Sequence, residues 1–400
     1  MQQIIIITQH FYPEANSTAQ LMNDLANGFT YKGYQVNVFT QSSSQAPTVS
    51  NNWLNRVKIL RSPLLDWFHN SLFYKVVNSL LFIISGWLYV IFRVHCNTPI
   101  IIVSNPPYSG VIGIYFRRIN RGKFYFILQD IFPESAVMCG MIKPTSILFK
   151  LFSNLTYLTC INSESTVVLT QAMKDLLERK HCQLKTKKSL VVIENWSIEN
   201  IPIERKNNNK FAIKYNLDQT FTLLYSGNLG RLHDIESIGK SAQLLEGKPI
   251  KFVFIGDGLK KKGVKKYIEK YRLKNILLLP FQPRELIVQS LTACDISLVS
   301  IIKGAEEIIA PCKLYGMLAS GRAIISISSP GSYIDQLLTE YDCGINCPPD
   351  SPQQLADMIM DLAVNPDRVK TMGKRARQLY EEKYTFNRAL DEYEKLLFGS

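Results

Sequence analysis

No Asp-x-Asp pair occurs anywhere in the 400 residues, so the sequence lacks the paired carboxylates that commonly bridge a divalent ion to a diphosphate. The first strand-to-helix loop, Gln9-His10-Phe11-Tyr12-Pro13-Glu14-Ala15-Asn16, contains no glycine. A dinucleotide-binding chain needs Gly-x-Gly-x-x-Gly at that point and an acidic residue about twenty positions later, which makes a nicotinamide-dependent oxidoreductase the weaker alternative. Cys343 and Cys347 form the one close pair among eight cysteines. They lack the two-residue spacing and neighbouring histidines of a zinc site, so the thiols read as reduced and the protein as cytoplasmic. No helix-turn-helix, zinc-finger or RNA-binding signature is present, which weighs against a non-enzymatic nucleic-acid binder. The start, Met1–Ile7, has too short an apolar run and no basic lead for a signal peptide, and reads as a first strand.

What the sequence does contain is an apolar fraction ample for two cores and a formal charge of +13. The charge is uneven: residues 1–200 carry 18 basic against 10 acidic side chains, the remainder 28 against 23. Such a balance favours an anionic partner, whether nucleic acid, a phosphorylated substrate or an acidic lipid surface. The front half alternates strand and helix. Strands are expected at Gln3–Thr8, Gln35–Thr40, Val57–Arg61, Ile100–Val103, Lys123–Leu128, Glu164–Leu169 and Leu190–Ile193, with a helix over Ser17–Lys32 capped by Ser17 or Thr18. That order predicts a parallel sheet, whose ligand loops lie at the carboxyl ends of the strands.

Val76–Phe92 contains no charged residue and is bracketed by Lys75 and Arg93. Seventeen residues are at the short edge of what spans a bilayer. A buried helix is the leading reading, with a helix dipping into the membrane interface and a true span as alternatives. Arg117, Arg118, Arg121 and Lys123 follow and suit anionic headgroups or an acceptor's phosphates; a solvated turn explains them equally.

From Glu199 to Lys214 the apolar period is lost and the stretch reads as a linker. A second alternating series follows, with strands near Thr220–Tyr225, Lys251–Ile255, Asn275–Leu279, Asp295–Ser300 and Arg322–Ser328, and Pro366–Leu397 reads as helical throughout. The first of these strands runs into Ser226-Gly227-Asn228-Leu229-Gly230-Arg231, and the second into Gly256-Asp257-Gly258. A glycine turn that feeds a helix can present backbone N–H groups to a phosphate, and Arg231 would add a planar charged fork. The bland reading is an ordinary turn whose glycines only supply positive φ. The expected domains are 1–200, 205–380 and a terminal helix over 381–400, with a cleft between the first two.

At this point the residues resemble a family. The two glycine turns, Glu306, and Pro311-Cys312-Lys313-Leu314-Tyr315-Gly316-Met317-Leu318-Ala319-Ser320-Gly321-Arg322 are similar to the donor half of the family 4 glycosyltransferases. Phe11-Tyr12-Pro13-Glu14, Ser104-Asn105-Pro106-Pro107 and Gln129-Asp130-Ile131-Phe132-Pro133-Glu134-Ser135 look like the branch that adds fucose-type sugars, such as N-acetyl-fucosamine, in bacterial O-antigen and capsule assembly.

The resemblance implies an α/β GT-B fold: two Rossmann-like parallel-sheet domains with a terminal helix crossing back onto the first. It implies a retaining hexosyltransferase that needs no metal or other cofactor and takes a nucleotide-sugar donor, such as a UDP-sugar. The implied acceptor is a saccharide on a polyprenyl diphosphate at the inner face of the cytoplasmic membrane. Gly227, Asn228, Gly230, Arg231, Gly256, Gly258, Glu306, Glu307, Pro311, Lys313 and Leu314 would hold the donor, with Arg231 and Lys313 facing the leaving diphosphate. Tyr12, Asn16, Pro106, Asp130 and Glu134 would hold the acceptor, and Asp130 or Glu134 would orient its hydroxyl. Glu134 reads equally as a first-turn residue favoured by a helix dipole. Asp130, Glu306 and Arg231 are the expected catalytic residues. The sequence departs from the family pattern at Gly316, where many members carry a second glutamate that holds the ribose. His10 and His233 read as structural or solvent-facing.

Overall fold

The computed structural model describes residues 2–14, 16–42, 57–63, 72–197, 201–202 and 204–399. Residues Glu199, Asn200 and Ile203 of the expected linker, Met1, and Ala15 of the first loop lie outside the described residues. The chain groups into two units: Met1–Ile198 with Ile308–Ala310 and Phe386–Ser400, and Glu199–Glu307 with Pro311–Thr385.

Unit 1 carries a parallel sheet of β1 (Gln3–Ile7), β2 (Gln35–Gln41), β3 (Val57–Ser62), β4 (Ile100–Val103), β5 (Phe124–Leu128), β6 (Ser165–Val168) and β7 (Leu190–Val192) in the order β3-β2-β1-β4-β5-β6-β7. Its helices are α1 (Ser17–Tyr31), α2 (Leu72–Arg93), α3 (Gly110–Ile119), α4 (Glu134–Met138), α5 (Ile147–Asn162), α6 (Gln171–Lys180) and α7 (Cys182–Lys187). The strands β1, β4 and β5 read as nearly unbroken Ile, Val, Phe and Leu because helices cover both faces of such a sheet, and these side chains are buried. Helix α1 starts at the expected place, but its cap is Asn16, not Ser17 or Thr18: the Asn16 side chain accepts from Ala19 N at 2.9 Å.

Unit 2 carries β8 (Phe221–Ser226), β9 (Ile250–Ile255), β10 (Ile276–Leu279), β11 (Ile296–Ser300), β12 (Ala323–Ile327) and β13 (Gly344–Cys347) in the order β10-β9-β8-β11-β12-β13. Its helices are α8 (Lys210–Lys214), α9 (Ile235–Leu244), α10 (Lys261–Tyr271), α11 (Arg284–Leu291), α12 (Lys313–Ala319), α13 (Tyr333–Glu340), α14 (Pro352–Ala363) and α15 (Pro366–Lys383). The expected linker ends in structure: buried Asn209 accepts from Phe211 N and Ala212 N at 2.8 and 3.0 Å and starts α8. The helical run at the end of the chain is two helices, α15 and α16 (Phe386–Phe398), and α16 belongs to unit 1. There Lys32 reaches Asp391 and Glu394, each at 2.5 Å, and Trp196 packs its ring on Phe386.

In both sheets the strand order reverses at one point, between β1 and β4 in unit 1 and between β8 and β11 in unit 2. Loops leaving the carboxyl ends of the strands on either side of such a reversal diverge and open a crevice, the usual ligand position in an open α/β sheet. The aromatic loop after β1, the Ser104–Pro107 turn after β4, the glycine turn after β8 and the Glu306 loop after β11 all lie at these points.

Candidate active site

In unit 2 the two glycine turns interlock. Gly227 N donates to Ile255 O and Leu229 N to Asp257 O, both at 2.8 Å. A Cβ on Gly256, where φ is +147°, would stand 2.0 Å from the Gly227 carbonyl oxygen. Glycine is therefore required here by backbone meeting backbone. The same bonds occupy the Gly227 and Leu229 amides, so the expectation that these groups face a phosphate is corrected. The start of α9 is likewise taken, since Asp234 caps it by accepting from Ser237 N at 3.0 Å. Gly258 donates to its neighbour Asp257, and Asn228 is exposed on the turn.

The positive charge beside these turns comes from side chains. Lys313, at the head of α12, donates to the Tyr225 hydroxyl at 2.5 Å and lies 3.9 Å above its ring. Tyr225 in turn donates to Asn228 O at 3.0 Å, which ties the lysine to the first glycine turn. Protein packed round the ammonium lowers Lys313 to about 7. Part of the half-buried side chain remains open to water, which tempers that lowering. Arg231 is exposed at the end of the same turn. His233 is a framework residue, as expected: its Nδ1 donates to Ser300 O at 2.6 Å, and burial, then Lys313, hold the ring neutral with its pKa lowered to about 3.

Three donor-side expectations change in character. Glu306 is buried, with Oε2 accepting from Gly304 N at 2.7 Å and Oε1 from Ser329 N at 2.9 Å, so it fixes a loop rather than standing in solvent. Leu314 is a core side chain, whereas Pro311 contributes its carbonyl to Leu314 N at 3.0 Å. At Gly316 an added Cβ would meet only Leu291 Cδ1, at an ordinary 3.5 Å, so a methyl group fits there without displacement. Half-buried Glu307 precedes the segment Ile308–Ala310 that groups with unit 1. Glu306→Gln would turn an amide group toward one of two backbone donors, leaving a buried N–H pair unmatched at about 1–3 kcal/mol. The expected result is a melting temperature lowered by several degrees, with Glu307→Gln close to wild type; a Glu306→Gln variant that melts with wild type would show that the Gly304 and Ser329 amides do not depend on the carboxylate.

In unit 1 the three aromatic or proline-rich motifs come together at the carboxyl edge. Gln9 N donates to Asn105 O at 3.1 Å, and Gln129 N to the Ser104 hydroxyl at 2.9 Å. Each motif holds a cis proline, at Pro13, Pro106 and Pro133. Asp130 bridges Ile309, and Ile131 N donates to Ile308 O at 2.9 Å. Desolvation raises the Asp130 carboxyl to about 6, a rise tempered by the water that reaches its exposed side chain. Glu134 opens α4 and is paired with Lys180, which favours its first-turn reading over a free acceptor carboxylate. Asn16 is divided between capping α1 and donating to Glu14, and the Tyr12 carbonyl accepts from Arg61 at 2.6 Å.

Sequence reasoning missed a dyad. His10 Nδ1 lies 2.6 Å from Glu14 Oε2, so this histidine does have a companion carboxylate, four residues on in the same loop. The signal was the His-x-x-x-Glu spacing, which carries little weight outside a helix because only the folded loop brings the two together. Of the basic residues, Arg117 donates to Asn162 O at 2.9 Å and stands 3.7 Å from Glu164, whereas Arg118 and Arg121 are exposed.

Comparison with known proteins decides what this frame is. Residues 206–379 match the family model described as glycosyl transferases group 1. The matched segment spans nearly all of unit 2, which is thus similar to a group 1 glycosyltransferase domain. The protein is accordingly an enzyme, a transferase of sugars. Over 277 residues it is 28% identical to a Pseudomonas aeruginosa protein described as "Probable glycosyltransferase WbjE", a match covering 68% of this chain and 67% of that one. The fold is GT-B. Sucrose-phosphate synthase from Thermosynechococcus elongatus aligns with a TM-score of 0.78 at 14% identity, and Anabaena HepE in complex with UDP with 0.72 at 12%, each over 100% of both chains. The match to a transferase model weighs against the oxidoreductase and non-enzymatic nucleic-acid alternatives.

Proposed function

We propose that this glycosyltransferase moves a sugar, N-acetyl-L-fucosamine or a related 6-deoxy sugar, from a nucleoside diphosphate to a saccharide on a polyprenyl diphosphate. The reaction retains anomeric configuration and serves polysaccharide assembly at the cytoplasmic face of the inner membrane. The observation that carries the donor half is Lys313 seated on Tyr225, beside the interlocked glycine turns and at the strand reversal of the matched domain. The glycosyltransferase name of the Pseudomonas relative and the UDP bound in Anabaena HepE support it. As the sugar's bond to the diphosphate breaks, the leaving oxygen gains negative charge, and Lys313 with Arg231 supplies the compensating cations in place of a metal bridge. Asp130, at the edge of unit 1, orients the acceptor hydroxyl, which bonds to the anomeric carbon and gives its proton to the departing diphosphate.

Calorimetric titration of the full chain with UDP, GDP, TDP and CDP tests the donor site. One of them is expected to saturate a single site. Arg231→Ala should cut transfer more than tenfold, since a lost charge-assisted contact to a leaving phosphate costs about 2–4 kcal/mol, and EDTA should leave transfer intact. Failure of all four nucleotides to bind would remove the donor reading; strict, reversible dependence on added magnesium or manganese would remove the metal-free half.

A further inference from the structure

The helix α2 is neither the fully buried helix that its composition favours nor an ordinary amphipathic one. Its buried ridge, Asn78, Phe82, Gly86 and Val90, lies against the unit 1 core, as the Phe39–Phe82 ring contact shows. A second ridge at the same four-residue spacing, Val76, Leu80, Ile84, Leu88 and Phe92, is open to solvent, each residue between 44% and 75% exposed. Residues four apart stack on one side of a helix, so this is a continuous apolar strip about 24 Å long. Helix α3 extends it sideways: the Tyr115 ring stands 5.4 Å from Trp87, the Asn120 side chain donates to Ile91 O, and Tyr115 and Ile119 are themselves exposed.

Charge decides what covers the strip. From Trp67 to Gln129 the sequence has no aspartate or glutamate, yet it has Lys75, Arg93, Arg117, Arg118, Arg121 and Lys123. Exposed Arg93, Arg118 and Arg121 stand at the Phe92 and Ile119 end of the two helices. The nearby carboxylate, Glu164, is engaged by Arg117 and Lys123. A second copy packed on this face by a twofold axis would bring these arginines against a partner surface whose own residues from Trp67 to Gln129 include no acid to pair with them. An anionic bilayer offers hydrocarbon to the strip and phosphates to the arginines.

We propose that α2 and the end of α3 form a docking face for an anionic lipid bilayer. Helix α2 lies in the plane of the interface with Val76, Leu80, Ile84, Leu88 and Phe92 inserted, and it does not cross. Arg93, Arg118 and Arg121 contact headgroup phosphates. This rests on the lipid-linked acceptor reading for its purpose, but it is measured without any sugar substrate, so its failure leaves nucleotide binding and transfer untouched.

Flotation of the full chain with phosphatidylcholine vesicles, with and without phosphatidylglycerol, tests it. Binding is expected on the anionic vesicles. It should be only partly released at about 0.5 M salt, where the Debye length is roughly 4 Å, and fully released by carbonate. The exposed double substitution Ile84→Glu with Leu88→Glu should weaken it at least tenfold and make the remainder salt-labile. Arg118→Glu with Arg121→Glu should weaken it at low salt, while both variants keep nucleoside diphosphate binding. Independently of any disruptive variant, brominated lipid should quench the wild type more than Trp87→Phe, because Trp87 borders the strip. The proposal is overturned by equal flotation of the Ile84/Leu88 variant, by a fall of that variant from dimer to monomer with lipid binding unchanged, by equal quenching of wild type and Trp87→Phe, or by carbonate-resistant insertion, which would make α2 a spanning helix.

Discussion

Replacing Lys313 with alanine is expected to lower sugar transfer about a hundredfold, the effect of removing roughly 3 kcal/mol of charge stabilisation from a leaving diphosphate. The pH dependence is the sharper test. In the free enzyme burial lowers the ammonium to about 7, and a diphosphate beside it raises that value again. Below pH 7 the lysine is already charged, so donor affinity is flat. As pH rises from 7 toward the value in the complex, binding must take up a proton and affinity falls, by up to about tenfold per unit. Calorimetry in buffers of different ionisation enthalpy reads this proton directly. Lys313→Arg keeps the charge and should remove the slope. A wild-type affinity that stays constant between about pH 7 and 9, together with undiminished nucleotide binding by Lys313→Ala, would mean that Lys313 does not face the diphosphate.

Gly256→Ala should be the most damaging single change to unit 2. The new methyl would stand 2.0 Å from the Gly227 carbonyl oxygen at a φ of +147°, so backbone clash adds to a conformation that alone costs about 1–3 kcal/mol. A drop in melting temperature of about 10 °C or more, or an insoluble chain, is the expected result. Gly263→Ala is the control. That glycine lies within α10 with nothing near its missing Cβ, and alanine there should stabilise the helix by up to about 1 kcal/mol. Similar melting of the two variants would show that the turns do not interlock as described.

The twelve strands expected from the sequence were legible because each buried strand writes a run of β-branched and aromatic residues, and a parallel sheet buries nearly all of them. The strand that escaped, Gly344–Cys347, has Gly-Ile-Asn-Cys and leaves its two central residues half-buried, so it offers no such run. The motifs were legible as sequence, but the use of their atoms was not. Nothing along the chain says that the two glycine turns bond to each other or that Glu306 Oε1 is held by the Ser329 amide, because only the sheet order brings those residues together. The Asp234 cap of α9 and the Glu306 contact to Gly304 are local, and an aspartate ahead of a helix is a signal the sequence does carry. The exposed ridge of α2 was hidden for a related reason. Both of its ridges are apolar, so composition reports a helix suited to burial, and only packing shows which ridge the core uses.

The return of α16 to unit 1 bears on how the chain is made. A ribosome completes every residue of unit 2 before it begins Phe386, so unit 2 can close while unit 1 still lacks its last helix. Until then Lys32 is without Asp391 and Glu394, and the Trp196 ring is without Phe386 and Tyr393. The half assigned to the acceptor is thus left with an open apolar seam through most of translation, and the final thirteen-residue helix seals it. A nascent chain held with Thr385 just clear of the ribosome and α16 still inside would carry a finished unit 2 behind an unfinished unit 1, and chaperones that recognise apolar segments would bind it at that seam.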